Sequence, residues 1–261
     1  MAERRNWTWE ETLVAFRFYC RTPFGRLHQH NPEIIALAGR LGRTPSSVAM
    51  KACNFASLDP VQQARGIRGL PNRSRLEAQV WEQFRADSEA IAAEAEAAYE
   101  RLQAPAARDL PDEPAAPDGP TEVDRTVRVR RVQGFFRSTV LVSYRGRCAL
   151  TGMSNRALLN ASHIIPWAAA PARRADPHNG ICLNALHDRA FDRGLISFDD
   201  DMRLLVSPAL TAGDAGDLSP LLTDYAGRRL RLPDRFAPDA AALAYHRTHV
   251  FQDEQAPSTR S

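Results

Sequence analysis

The chain has 261 residues, long enough for two domains that each bury a core. Its net charge is +3, which permits nucleic-acid binding without demanding it, and Lys51 is the only lysine, so nearly all the positive charge is arginine. A disulfide framework, a zinc knuckle and a membrane protein are excluded. Cys20, Cys53, Cys148 and Cys182 are scattered with no CxxC pair, as suits a reducing cytoplasm, and no run reaches the roughly 18 apolar residues that a spanning helix needs.

Thr8 with Glu11 reads as a capping box that opens a first helix over about 9–20. Pro32 starts a second, with Ile34, Ile35, Leu37, Ala38 and Leu41 as its apolar face and Gly42 as its stop. Thr44-Pro45 open a third, running through Val48, Met50-Lys51 and Phe55. Trp7, Trp9 and Phe16 are expected in the core of this bundle. WTWEE followed by IIALAGRLGRTPSSVAMKACNF resembles the Myb/SANT-like helix-turn-helix unit. The resemblance implies that the third helix reads DNA, with Ser46, Ser47, Lys51 and Asn54 on its outer face and Arg43 at the turn. A trihelical bundle that only packs against a partner is the alternative.

From Ser74 to Leu102 no proline or glycine interrupts a helix-forming run, and Leu76, Val80, Phe84, Ile91, Ala95, Ala98 and Leu102 form a narrow apolar seam. One long helix is expected, docked on its own bundle or paired with its copy. Alanines at the later seam positions favour docking. Residues 104–122 are proline-rich and acidic, a spacer that sets the boundary between a helical module at 1–103 and a second domain at 123–251.

The second domain begins with arginines alternating with valines in RTVRVRR, a strand-like pattern, and continues in an amphipathic helix, QGFFRSTVLVSY. Cys148 reads as a packed thiol. Leu158 to Ile165 reads as a strand ending near Pro166-Trp167, Asn179-Gly180 as a turn, Ile181 to Leu183 as the returning strand, and Ala185 to Arg193 as a helix closed by Gly194. Asp188 and Asp192 stand four apart on one face of that helix, and His163 lies on the facing strand. A neutral imidazole to deprotonate water and two carboxylates to hold a cation are the parts that phosphodiester hydrolysis needs. LISFDDDMRLLVS alternates as a hairpin around Asp199 to Asp201. His246 and His249 read as structural or surface residues of a closing helix, His178 as solvated, and the residues from about Gln252 as a disordered tail.

Residues 128–251 resemble HNH endonucleases of the restriction type. The likeness rests on Tyr144, Cys148 and Thr151-Gly152, on His163-Ile164 with Pro166-Trp167, on Asn179-Gly180, and on His187-Asp188, Phe191-Asp192 and Gly194. It implies an α+β chain, a helical bundle followed by a ββα-metal nuclease domain. In it His163 is the general base and Asn179 pins the loop that orients it. His187, Asp188 and Asp192 are the candidate metal ligands, with His187 and Asp188 competing for one position. Ser162 stands where many such sites have a ligand, which leaves more water on the ion and favours Mg²⁺ or Mn²⁺ over Zn²⁺. Arg173 and Arg174, in the loop between base and asparagine, are expected to contact phosphates. The resemblance further implies double-stranded DNA as substrate, a bacterial restriction or defence role, and a homodimer, since cutting two strands takes two sites. A DNA-binding regulator with an inactive nuclease domain is the alternative.

Overall fold

The computed structural model of the protein describes residues 5–68, 74–104, 122–210 and 220–253. Nearly all of the expected spacer and most of the expected tail lie outside the described residues. The chain divides into two compact units, Met1–Ser138 and Thr139–Ser261.

In the first unit, α1 (Trp9–Arg21) opens on Thr8, whose hydroxyl accepts from the Glu11 amide while the Glu11 carboxylate accepts from the Thr8 amide, the expected capping box. Asn31 caps α2 (Pro32–Leu41), and Gly42, in the left-handed region at φ 62°, ends it. Thr44 caps α3 (Pro45–Ala56), and the short α4 (Pro60–Ala64) follows behind its cap Asp59. Phe16 is the centre of the core, its ring 5.1 Å from Phe55, 4.9 Å from Phe84 and 6.2 Å from Phe135. Edge-on and offset ring contacts at these distances add to the area that the rings bury. Trp7 and Trp9 are instead half-buried at the rim, where Trp7 lies under the Arg43 guanidinium and the Trp9 indole donates to Glu94.

The expected long helix is two, α5 (Arg75–Ala86) and α6 (Ser88–Gln103). Asp87, at φ −144° and ψ 89°, is outside helical geometry, and its carboxylate accepts from the Ala90 amide, so one residue ends the first helix and caps the second. No proline or glycine announces the break. Both helices pack on α1, which is docking on the chain's own bundle. Ile91, Ala92, Ala95 and Ala98 line the buried side of α6.

The arginine–valine alternation does not make a strand. It lies in α7 (Glu122–Ser143), where Val132, Phe135, Phe136, Val140 and Leu141 are buried at helical spacing. The alternation is short, and this longer 3.6-residue pattern overrides it. Arg131 pairs with Glu100 at 2.6 Å and Arg128 with Glu89 at 3.6 Å, both carboxylates from α6. The first unit ends inside this helix, at Ser138.

Among its described residues the second unit holds two small antiparallel sheets. In one, β1 (Leu159–His163) pairs with β2 (Gly180–Asn184), Ser162 opposite Ile181 and His163 opposite Gly180. Helix α8 (Ala185–Asp192) follows β2 directly, capped by Asn184. The other is the expected hairpin, β3 (Ile196–Phe198) with β4 (Leu204–Val206), in whose turn the Arg203 amide donates to Asp199. A single turn, α9 (Pro220–Thr223), and α10 (Ala240–His249) follow among the described residues. Its core includes Leu150, Ile181, Leu183, Phe191, Phe198 and Leu243. Cys148 is buried, as expected of a packed thiol.

Gly194 closes α8 at φ 67°, and a Cβ there would stand 2.0 Å from the Val250 carbonyl oxygen. Glycine is therefore required both by the left-handed turn and by the approach of the chain end. Gln252, expected in the disordered tail, is held: its amide donates to Gly194 and its side chain to the Arg193 carbonyl, both at 2.9 Å. No helix among the described residues is long and apolar enough to cross a membrane.

Candidate active site

The strand β1 turns alternate side chains to opposite faces, so Asn160 and Ser162 share one. Both reach Asp188 on α8. The Ser162 hydroxyl donates to one carboxylate oxygen and the Asn160 amide to the other, each at 2.5 Å. Asp188 is thus fixed against β1 by two donors. Ser162, read from the sequence as a lost ligand, orients a carboxylate instead. The sequence reading missed Asn160. Its signal was a polar residue two before Ser162 in a strand whose first residue, Leu159, is fully buried.

His163 ends β1. Its Nε2 lies 3.0 Å from the Arg174 carbonyl oxygen, which can only accept, so Nε2 carries the proton and Nδ1 the lone pair. Burial pushes its pKa below the ordinary histidine value. The carbonyl of Arg174 and the charge of Asp188 oppose this, and the Arg174 guanidinium adds to it. The ring meets the edge of Trp167 at 5.5 Å. A neutral imidazole with a fixed tautomer is the form that can take a proton from water.

Asn179 is 1% exposed and closes the loop between β1 and β2. Its side-chain oxygen accepts from the Ile165 amide at 2.8 Å and its amide donates to the Ile165 carbonyl at 3.1 Å. Its own carbonyl accepts from Ile164 at 3.0 Å. The Asn179-Gly180 pair is not a hairpin turn, however. Asn179 ends a single 3₁₀ turn over Pro177–Asn179, capped by Asp176, and Gly180 is extended at φ −137° as the first residue of β2.

Other expected contacts already have partners within the protein. Arg173 pairs with Asp176 at 2.9 Å and with Asp239 at 3.0 Å. Arg174 donates to the Trp167 carbonyl and lies over that ring, 4.9 Å from its centroid. His178 is not solvated: its Nδ1 is 2.9 Å from Asp176 and its ring meets Phe236 edge-on. Burial alone would raise the pKa of Asp176, but the bond from His178 and the charge of Arg173 hold it below the usual carboxylate range.

His187 and Asp188 part company in the fold. The His187 ring is 2% exposed, its Nδ1 sits 2.9 Å from the Asn184 oxygen, and its face meets Tyr225 edge-on at 5.3 Å. The Asn184 oxygen can only accept, so Nδ1 is protonated and Nε2, which has no hydrogen-bond partner, is a buried lone pair. Burial lowers its pKa. Asp188, one residue on, faces β1. Asp192, a turn further, is exposed, and its pKa is raised by partial burial and by the nearby charge of Asp188.

Among the described residues no group of three His, Cys, Asp or Glu side chains converges to hold a metal ion. The donors present are two carboxylates one helical turn apart, close enough to repel. That donor set suits a hard, mostly hydrated cation such as Mg²⁺, which is commonly held by one or two carboxylates, and does not suit a structural zinc centre.

On the third helix of the first unit the expected DNA-reading face is not a face. Lys51 is 3% exposed and bonded to Ser74 at 2.9 Å and Glu77 at 3.0 Å, and Asn54 donates to the same carboxylate at 3.0 Å. Arg43 donates to Glu11 at 2.7 Å and to the Asn6 carbonyl at 2.8 Å, with its guanidinium against Trp7. Of the four residues assigned to that face, Lys51 and Asn54 are buried, and Ser46 and Ser47 remain at or near the surface. The reason is a partner too distant in sequence to be foreseen: Glu77 of α5 buries its charge against α3 and takes Lys51 and Asn54 with it.

His246 is buried, between the Ser197 hydroxyl at 2.9 Å and the Phe191 carbonyl at 3.1 Å, and stacks on the Phe191 ring at 3.8 Å. His249 is exposed beside Tyr245. Both fit the structural or surface roles expected of them.

The HNH endonuclease family model matches residues 148–199, a stretch that takes in β1, β2, α8 and β3 and is well under half of the chain. No curated protein matches the chain.

Proposed function

We propose that the protein is a metal-dependent DNA endonuclease that hydrolyses phosphodiester bonds through the residues gathered between β1 and α8. The observation that carries this reading is the state of His163: a half-buried imidazole whose Nε2 is tied to the Arg174 carbonyl and whose pKa burial holds below the ordinary histidine value, so that it is neutral and can act as a base. The match of residues 148–199 to HNH endonucleases supports a nuclease, and a nuclease of that family implies DNA as substrate.

His163 takes the proton of the attacking water at Nδ1. Asn179 keeps the loop that carries the Arg174 carbonyl closed on β1, so the tautomer and tilt of the base are set before substrate arrives. Asp188 and Asp192 are the metal ligands. The His187 ring is held between Asn184 and Tyr225, which leaves Asp188 as the helix ligand of that pair. Asn160 and Ser162 fix the Asp188 carboxylate. Held there, a divalent cation, Mg²⁺ or Mn²⁺ rather than Zn²⁺, would supply positive charge beside the reacting phosphate. A bacterial restriction or defence role, and a homodimer that presents two sites to double-stranded DNA, are parts of the same proposal.

The test is plasmid cleavage by the full chain with Mg²⁺ or Mn²⁺. Wild type is expected to cut, His163→Ala to lose on the order of two to four decades in rate, and Asp192→Asn to stop cutting while still binding DNA. Full activity in either variant would show that the residue does not act as proposed. One observation favours a second reading, a DNA-binding regulator with a silent nuclease domain: both oxygens of Asp188 are already hydrogen-bonded. Intact plasmid under every metal tried, with DNA binding retained, would select it.

A further inference from the structure

Each aspartate of α8 is followed by an arginine, Arg189 after Asp188 and Arg193 after Asp192. Residues four apart on a helix lie on one face, about 6 Å apart along the axis. The helix and its cap residue therefore carry an acidic row and a basic row side by side. Arg189 also stands three residues before Asp192, a spacing at which opposite charges can pair. No such ion pair closes, although both arginines act on Asp192 electrostatically. Both are exposed, and neither guanidinium has a hydrogen-bond or ion-pair partner among the described residues.

Several other arginines of this unit are engaged, among them Arg145 with Asp234, Arg173 with Asp176 and Asp239, and Arg247 with Asp200. The backbone beneath the two free arginines is held just as firmly. The Arg193 amide donates to the Arg189 carbonyl at 3.2 Å, and Gln252 fastens the Arg193 and Gly194 carbonyls. A fixed helix end thus presents two unneutralised planar forks, the geometry that matches phosphate oxygens in bidentate fashion.

We infer that Arg189 and Arg193 form a phosphate-binding row, taking the backbone phosphates of the nucleic-acid strand next to the one held at Asp188 and Asp192. This rests on the endonuclease reading for the identity of the strand. In this arrangement α8 aligns the reacting phosphate with one row and sets the register of the strand with the other. The expected phosphate contacts Arg173 and Arg174 already have partners, and Arg189 and Arg193 take over that task.

The experiment measures two quantities on the full-length protein: affinity for a fluorescent DNA duplex in Ca²⁺ between 50 and 200 mM salt, and plasmid cleavage in Mg²⁺. Each phosphate contact contributes about 0.9 to the slope of log affinity against log salt. The Arg189→Gln/Arg193→Gln variant should therefore lose about 1.8 of that slope, raise KM, and keep the wild-type melting temperature. Arg189→Lys/Arg193→Lys should restore most of the slope, since it keeps the charge. Wild-type slope and KM in the glutamine variant would overturn the inference while leaving the endonuclease reading standing. A changed slope in a protein that never cuts would do the reverse.

Discussion

Helices α3 and α8 each carry cationic and polar side chains on a short amphipathic segment, and the fold treats them in opposite ways. In α3 the lysine and the asparagine both end on Glu77, and the arginine at its turn ends on Glu11. In α8 and at its cap, Asp192, Arg189 and Arg193 face outward, while Asp188 faces β1, where the neutral partners Asn160 and Ser162 fix its carboxylate without neutralising it. A charge on a helix becomes available for a ligand only where no neighbouring element brings a counter-charge. In the first unit α5 brings one. In the second, none of the described residues does so for Arg189 and Arg193.

The largest effect that sharpens this contrast lies in the first unit. Lys51 and Glu77 are a buried pair. Burial lowers the pKa of Lys51, while for Glu77 the bonds from Ser74, Asn54 and Lys51 outweigh burial and hold its carboxyl low. Lys51→Met leaves the Glu77 charge buried and uncompensated, and is expected to destabilise by about 3–5 kcal/mol in chemical denaturation. Adding Glu77→Leu should recover part of that loss. If Lys51→Met melts like wild type but weakens DNA binding, α3 is a reading helix after all.

In the second unit the corresponding buried group is His246, whose pKa burial pushes down to about 4. Its ordinary value is 6.5, so between these limits the unfolded chain binds a proton that the folded one refuses. Stability is therefore full above about pH 6.5 and falls as the pH drops toward 4, by up to roughly 3 kcal/mol. His246→Gln should flatten the pH profile of unfolding across that window. An unchanged profile would mean that His246 does not couple to folding.

The smallest effect compares the two glycines that end α2 and α8. Both are left-handed, but a Cβ at Gly42 meets nothing within 4 Å, whereas one at Gly194 runs into the Val250 carbonyl. Gly42→Ala should cost about 1–2 kcal/mol. Gly194→Ala should cost more, and it alone should lower cleavage, because the chain end it displaces also holds the turn that carries Asp192 and Arg193. Equal costs would show that the Val250 segment yields easily.

Much of the fold was legible because it is written in short-range chemistry. The caps at Thr8 and Thr44, the helix start at Pro32, the glycine stops at Gly42 and Gly194, and the β1–β2–α8 succession follow from neighbouring residues alone. So does the placing of Asp188 and Asp192 on one helical face. Signals that compete at similar range were misread: the alternation in RTVRVRR suggested a strand inside a helix, and Asp87 broke a helix without a glycine or proline to mark it.

What the sequence by itself determined, then, is where elements start and stop and which polar residues lie near one another along the chain. Only the tertiary structure decided which of these face solvent. Lys51 and Asn54 are buried because Glu77, more than twenty residues away, must be paired once it leaves water. Asp188 rather than His187 faces β1 because the Ser162 and Asn160 donors arrive through strand register. Arg189 and Arg193 remain outward because no such partner arrives among the described residues. Local propensity is a property of neighbours in the chain, whereas the desolvation of a charge is set by whatever the fold packs against it.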